Sequence, residues 1–169
     1  MSQPKSEIEK AYETPDPWGY KTSAQDHVRK QTLLGVIEIF MGTMFERAID
    51  VCCGEGWITE DLPAVTIHGI EISDNAAARF SSYVKRVDGP IGKYGLVLAT
   101  GCLYNHYDLF SIIDHIREAS GPGTLIVTSN IETWEKPEAI TLLSRIGRQV
   151  FEARFPYNEH HQKLRVFQC

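Results

Sequence analysis

Four short apolar runs punctuate the chain, at residues 48–53, 65–72, 95–100 and 124–128. Each has the length of a strand and, terminal positions apart, each is apolar on both parities, which predicts parallel strands covered on both faces. Two later segments, 149–155 and 163–169, alternate apolar and polar residues around a Pro-Tyr-Asn turn and predict an antiparallel hairpin at a sheet edge. Helical spacing occupies the intervals. It covers 24–41, with Val28, Leu33, Leu34, Ile37 and Phe40 on one side; 74–84 after Ser73 as cap; 109–118 after Asp108; and 136–146. Gly121-Pro122-Gly123 ends the third of these. Such alternation closing on a hairpin predicts a doubly wound α/β sheet, mostly parallel, whose ligand site lies beyond the carboxyl ends of the strands. Chemistry is therefore expected just after Cys53, Ile72, Thr100 and Thr128.

The 169 residues are 43% apolar and 23% charged, with a net charge of −5. A chain of this length buries roughly 70% of its unfolded surface, so no disulfide or structural metal is needed for a core. The expectation is one domain over 1–169, with an N-terminal lid or helix segment (1–45) ahead of the sheet core (46–169). The acidic balance and the lack of any Lys/Arg run argue against nucleic acid as partner. No stretch approaches the roughly 20 apolar residues that span a bilayer, and the polar N-terminus has no apolar core, so a cytoplasmic chain without a membrane partner is expected. Cys52, Cys53, Cys102 and Cys169 lack C-x-x-C spacing and read as reduced packing cysteines, Cys52 and Cys53 on opposite sides of a strand. His160-His161 reads as a solvated turn, and no metal is expected.

The first run opens into Asp50-Val51-Cys52-Cys53-Gly54-Glu55-Gly56-Trp57, and Glu71 closes the second run 21 residues after Asp50. A glycine turn after a strand, with an acid about 20 residues on, is the arrangement of a nucleotide pocket: the turn admits a ligand close to the backbone and the acid accepts ribose hydroxyls. Asp50 and Glu55 beside that turn would repel the pyrophosphate of NAD, and Thr59 stands where a dinucleotide fingerprint has its third glycine. Two carboxylates there suit a ligand with an ammonium and a sulfonium, which describes S-adenosylmethionine. The alternative is that Asp50 and Glu71 are solvated strand ends.

Residues 50–56, Gly69-Ile70-Glu71-Ile72-Ser73, the 96–104 segment and Gly121-Pro122-Gly123-Thr124-Leu125 resemble the successive motifs of class I S-adenosylmethionine-dependent methyltransferases. Asp16-Pro17-Trp18-Gly19-Tyr20, ahead of a helix carrying Arg29-Lys30, is similar to the nodulation-type N-methyltransferase branch. The resemblance implies a Rossmann-like sheet and S-adenosylmethionine as cofactor. It further implies that Asp50, Gly54 and Gly56 line the methionine end, with Trp57 flanking the loop and Thr100 bordering it, that Glu71 binds the ribose and that Ile72 lies beside the adenine. Cys52 replaces the family's first motif glycine and narrows the loop. Only about twenty residues separate Ser73 from Tyr94, a compact form with a shortened middle region; Asp88 is the candidate reader of the adenine amine, or a simple Asp-Gly turn.

Beyond the fourth strand, Thr100-Gly101-Cys102-Leu103-Tyr104-Asn105-His106-Tyr107-Asp108 lies where a methyl acceptor would approach. His106 is the candidate base, with Tyr104 and Asn105 positioning the substrate; the alternative places His106 in a loop before the Asp108 cap. Trp18 and Tyr20 either form a substrate-binding lid, with Arg29 or Lys30 reaching the methionine carboxylate, or only pin the terminus to the core. Asn130 and Trp134 border the same mouth. The reading is a methyltransferase acting on nitrogen or oxygen of a small molecule, its mouth open or completed by a second subunit in a homodimer. The alternatives are a protein or RNA methyltransferase and a non-catalytic S-adenosylmethionine-binding protein.

Overall fold

The structure, a computed structural model, describes residues 3–42, 44–104 and 107–169. One seven-stranded sheet is formed by β1 (Phe45–Val51), β2 (Ala64–Ile70), β3 (Val84–Arg86), β4 (Leu96–Thr100), β5 (Leu125–Ile131), β6 (Arg148–Tyr157) and β7 (His160–Gln168), in the order β3-β2-β1-β4-β5-β7-β6. Strands β1 to β5 pair in parallel, whereas β7 pairs antiparallel with both β5 and β6. The helices are α1 (Lys5–Ala11), α2 (Ala24–Phe40), α3 (Asp74–Ala77), α4 (Leu109–Ala119) and α5 (Pro137–Leu143).

Apolar residues on both parities do cover both faces. Ile49, Val51, Val97, Ala99 and Ile126 pack with Ile113 and Ile116 of α4 and Leu143 of α5. Their sequence neighbours Ala48, Leu96, Leu98 and Val127 pack with Leu33 and Ile37 of α2 on the other face. The expected mostly parallel sheet with its terminal hairpin is thus observed. Strand order reverses between β1 and β4, and the crevice beyond their carboxyl ends is the place such a sheet offers a ligand.

Several expected elements differ from those observed. The helix over 74–84 stops after four residues, because the chain turns at Ala78 and lays Val84 against β2, in register with Ile67. The middle region is shortened to that turn of helix and the three-residue β3. On α2 the buried positions are Asp26, Arg29, Lys30, Leu33, Val36 and Ile37, while Val28 is exposed and Leu34 only half-buried. The buried stripe keeps the helical period but is polar in its first half, where it borders the site, and apolar only over the sheet. Hydrophobicity alone therefore marked the face at Leu33 and Ile37 but not at the site end. Strand β5 runs on to Ile131, paired with Gln162 of β7. The hairpin turns at Asn158 (φ 51), so His160 and His161 begin β7 instead of lying in a turn. Cys52 does not continue β1: its φ is 62, and the turn begins there.

Candidate active site

Strand β1 delivers Asp50 and stops at Val51, after which Cys52 (φ 62), Gly54 (φ 59) and Gly56 (φ 77) carry the chain through a left-handed turn. Cys52 thus adopts a conformation that costs a residue with a Cβ about 1–2 kcal/mol. A Cβ on Gly54 would come within 2.8 Å of the Tyr12 hydroxyl, so the glycine lets a ring lie on the turn. Gly56 differs from expectation: a Cβ there would meet Phe80 at 3.4 Å, and Gly56 lines neither cavity described below. Its role is to let the back of the turn pack on Phe80.

Glu71, one residue past β2, closes the turn from the other side. Its Oε2 accepts the Gly54 N–H at 2.8 Å and its Oε1 accepts the Ser73 N–H at 2.8 Å. Burial raises its carboxyl above the ordinary value, against the lowering by those N–H groups. Asp50 is more extreme. Only 2% exposed, it accepts the Thr59 hydroxyl on Oδ2 at 2.7 Å, and Oδ1 has no partner. Burial pushes its pKa up to about 7. Neither acid is a solvated strand end.

Two cavities open beyond β1 and β4. The smaller, of about 170 Å³, is walled by Asp50, Arg29, Thr100, Trp57, Tyr20, Tyr104 and Trp134, among others. The larger, of about 580 Å³, runs past Glu71, Ile72, Asp88 and Arg86 to His115 of α4. Tyr12, Trp18, Cys52, Gly101 and Tyr107 border both. Trp18 meets Tyr12 edge-on at 4.9 Å between centroids and stacks on Tyr20, which in turn stacks on Trp57.

The segment carrying these rings, between α1 and α2, is clasped by Glu55. Its carboxylate accepts the Asp16 N–H at 2.9 Å, Lys21 Nζ at 3.0 Å and Arg79 Nη1 at 3.0 Å, while Arg79 Nη2 donates to the Tyr12 carbonyl at 2.9 Å. Burial would raise the Glu55 carboxyl, but these donors outweigh it and hold it below the ordinary range. Glu55 is therefore neutralised by Lys21 and Arg79; both acids expected to meet a cationic ligand line the smaller cavity, but Glu55 does so already paired with two cations. Glu9 of α1 adds a second tether by accepting the Asp74 and Asn75 N–H groups at the start of α3.

Among the residues expected from sequence, Asp50, Cys52, Gly54, Trp57 and Thr100 line the smaller cavity together with Trp18, Tyr20 and Tyr104, and Glu71, Ile72 and Asp88 line the larger. Asn130 does not reach the mouth. Fully buried in β5, it accepts the Leu103 N–H and donates to Glu135, because the hairpin prolongs β5 past it. Lys30 binds the Trp57 carbonyl and Asp61 and lies over the Trp57 ring, so of Arg29 and Lys30 it is Arg29 that lines the cavity. Asn105 and His106 lie outside the described residues. Sequence reading missed Tyr12, Arg79 and His115; the spacing of Tyr12, Trp18 and Tyr20 ahead of a helix was the available sign for the first.

No protein-family model matches the chain, and no curated protein matches it in sequence. Solved structures do. The chain is similar to the N-methyltransferase NodS from Bradyrhizobium japonicum in complex with S-adenosyl-L-homocysteine, at TM-score 0.79 and 16% identity over 97% of either chain. It is similar to the magnesium protoporphyrin IX methyltransferase ChlM from Synechocystis with bound S-adenosylmethionine, at TM-score 0.73 and 14% identity over 100% of this chain and 99% of that one. A ribosomal-protein methylase from Lactobacillus delbrueckii subsp. bulgaricus follows at TM-score 0.63 and 16% identity, over 83% of this chain and 79% of that one. With its strand order, its terminal hairpin and its glycine turn at the β1–β4 crevice, the chain has the Rossmann-like fold of the class I S-adenosylmethionine-dependent methyltransferases.

Proposed function

We propose that the protein is an S-adenosylmethionine-dependent methyltransferase acting on nitrogen or oxygen of a small molecule. The observation that carries the reading is the pair of adjoining cavities at the switch point, one lined by Asp50, whose Oδ1 has no hydrogen-bond partner, and the other by Glu71. The residues fit that cofactor. Asp50 Oδ1 is a buried acceptor suited to an ammonium, and Arg29, bonded to Asp26 through Nε, presents its guanidinium to a carboxylate. Each Glu71 oxygen accepts one N–H and keeps a lone pair for a ribose hydroxyl. Ile72 and Asp88 border the space for the base. A pyrophosphate would meet Asp50 instead, which disfavours NAD.

Bound S-adenosylmethionine supplies a methyl carbon made electrophilic by a positively charged sulfur. The chain's contribution is placement, with Tyr20, Tyr104 and Trp134 shaping the smaller cavity around the acceptor. A neutral amine needs no more than this, whereas a hydroxyl must lose a proton. His106, which the sequence sets between the cavity-wall residues Tyr104 and Tyr107, is the proposed acceptor of that proton. Titration calorimetry tests the reading: S-adenosylmethionine and its demethylated product should bind and NAD should not. Absence of S-adenosylmethionine binding would overturn it.

A further inference from the structure

The boundary between the two cavities has its own chemistry. The residues common to both, Tyr12, Trp18, Cys52, Gly101 and Tyr107, comprise three aromatic rings, a thiol and a glycine, with no Lys, Arg, Asp or Glu among them. Their rings are held in place: Tyr12 by the edge-on contact with Trp18 and by Arg79 on its carbonyl, Tyr107 by stacking on Tyr104 at 6.3 Å. The Tyr12 hydroxyl lies over Gly54, so its ring stands above the turn. A ligand that reaches from Glu71 to Asp50 and Arg29 must pass this boundary. On the reading given above, on which this inference rests, the part of the cofactor that passes is its sulfur.

We propose that Tyr12, with Tyr107 bordering the same junction, is a specificity-determining residue that favours the positively charged sulfonium of the substrate cofactor over the neutral thioether of the product. None of the five shared residues is charged, so at the boundary itself the negative faces of the rings offset the hydration that a cation loses on leaving water. The thioether gains nothing comparable. The rings thereby assist release of the spent cofactor, because transfer of the methyl group removes the charge that holds the sulfur.

Titration calorimetry with S-adenosylmethionine, S-adenosylhomocysteine and an analogue bearing an ammonium in place of the sulfonium reads this without any turnover. Tyr12→Leu should lower the affinity ratio of S-adenosylmethionine to S-adenosylhomocysteine by between about two- and thirty-fold, the span of one cation–π contact. The ammonium analogue should weaken alongside S-adenosylmethionine, and Tyr12→Phe should keep the normal ratio. Where Tyr12→Leu does not fold by circular dichroism, Tyr107→Leu carries the same expectation. Equal weakening of all three ligands in the leucine variant would make the ring a mere wall and overturn the proposal. A phenylalanine variant that loses the preference would also overturn it. A wild-type protein that binds none of the three overturns the cofactor reading itself, and this proposal with it.

Discussion

Replacing Asp50 by asparagine should stabilise the ligand-free protein at alkaline pH while weakening cofactor binding. In the folded chain burial pushes the Asp50 carboxyl from its ordinary 3.8 to about 7, Glu71 adding to the rise and Thr59 and Arg29 opposing it. An acid raised by folding contributes stability that is complete below its unfolded value and is lost as pH rises through the folded one. The difference between 3.8 and about 7 corresponds to about 4 kcal/mol lost by pH 8, of which about 2 kcal/mol is already lost at pH 5. Asparagine carries no charge, keeps an oxygen for the Thr59 hydroxyl and leaves an unpartnered amide worth about 1–3 kcal/mol at any pH. The stability of Asp50→Asn relative to wild type should therefore rise by about 2–3 kcal/mol between pH 5 and pH 8, whatever the amide costs. Urea unfolding of both proteins at the two pH values measures this, and the titrations they share cancel. A difference that stays constant with pH would refute the buried-charge account of Asp50.

Glu71→Ala leaves the Gly54 and Ser73 N–H groups without their acceptor, so stability should fall by about 2–4 kcal/mol and cofactor affinity by about 1–3 kcal/mol, with Glu71→Gln losing less of each; an unchanged dissociation constant in the alanine variant would remove Glu71 from the site. Glu55→Gln should loosen the segment between α1 and α2, seen as faster amide exchange over residues 12–22 and as faster release of the cofactor; identical exchange would show that the rings, not the ion pairs, hold it. His106→Ala should slow methyl transfer to a hydroxyl roughly 10²-fold or more with cofactor affinity kept, and joint loss of both would assign His106 to support of the loop.

The parallel core was legible because buried strands have no freedom in composition: Ile49, Val97 and Ile126 on one face and Ala48, Leu96 and Val127 on the other must all be apolar. On α2 apolarity marked Leu33 and Ile37 but not the site end, where Asp26, Arg29 and Lys30 occupy the buried stripe and Val28, placed on the same side as Leu33, is exposed. That Asp50, Gly54 and Glu71 meet at one turn was legible because a turn and an acid at fixed spacing follow from local backbone requirements. Asn130 was misplaced because the end of β5 is set by its partner β7, whose pairing is invisible from β5 alone. The neutralisation of Glu55 was hidden for a similar reason: Lys21 and Arg79 lie 34 and 24 residues away.

A crystal structure of the protein with S-adenosylhomocysteine would show where each part of the cofactor lies. One molecule should span both cavities, its ribose on Glu71, its base beside Ile72 and Asp88, its ammonium on Asp50 Oδ1 and its sulfur beside Tyr12. Density confined to one cavity, or a ligand that bypasses both Asp50 and Glu71, would contradict this placement.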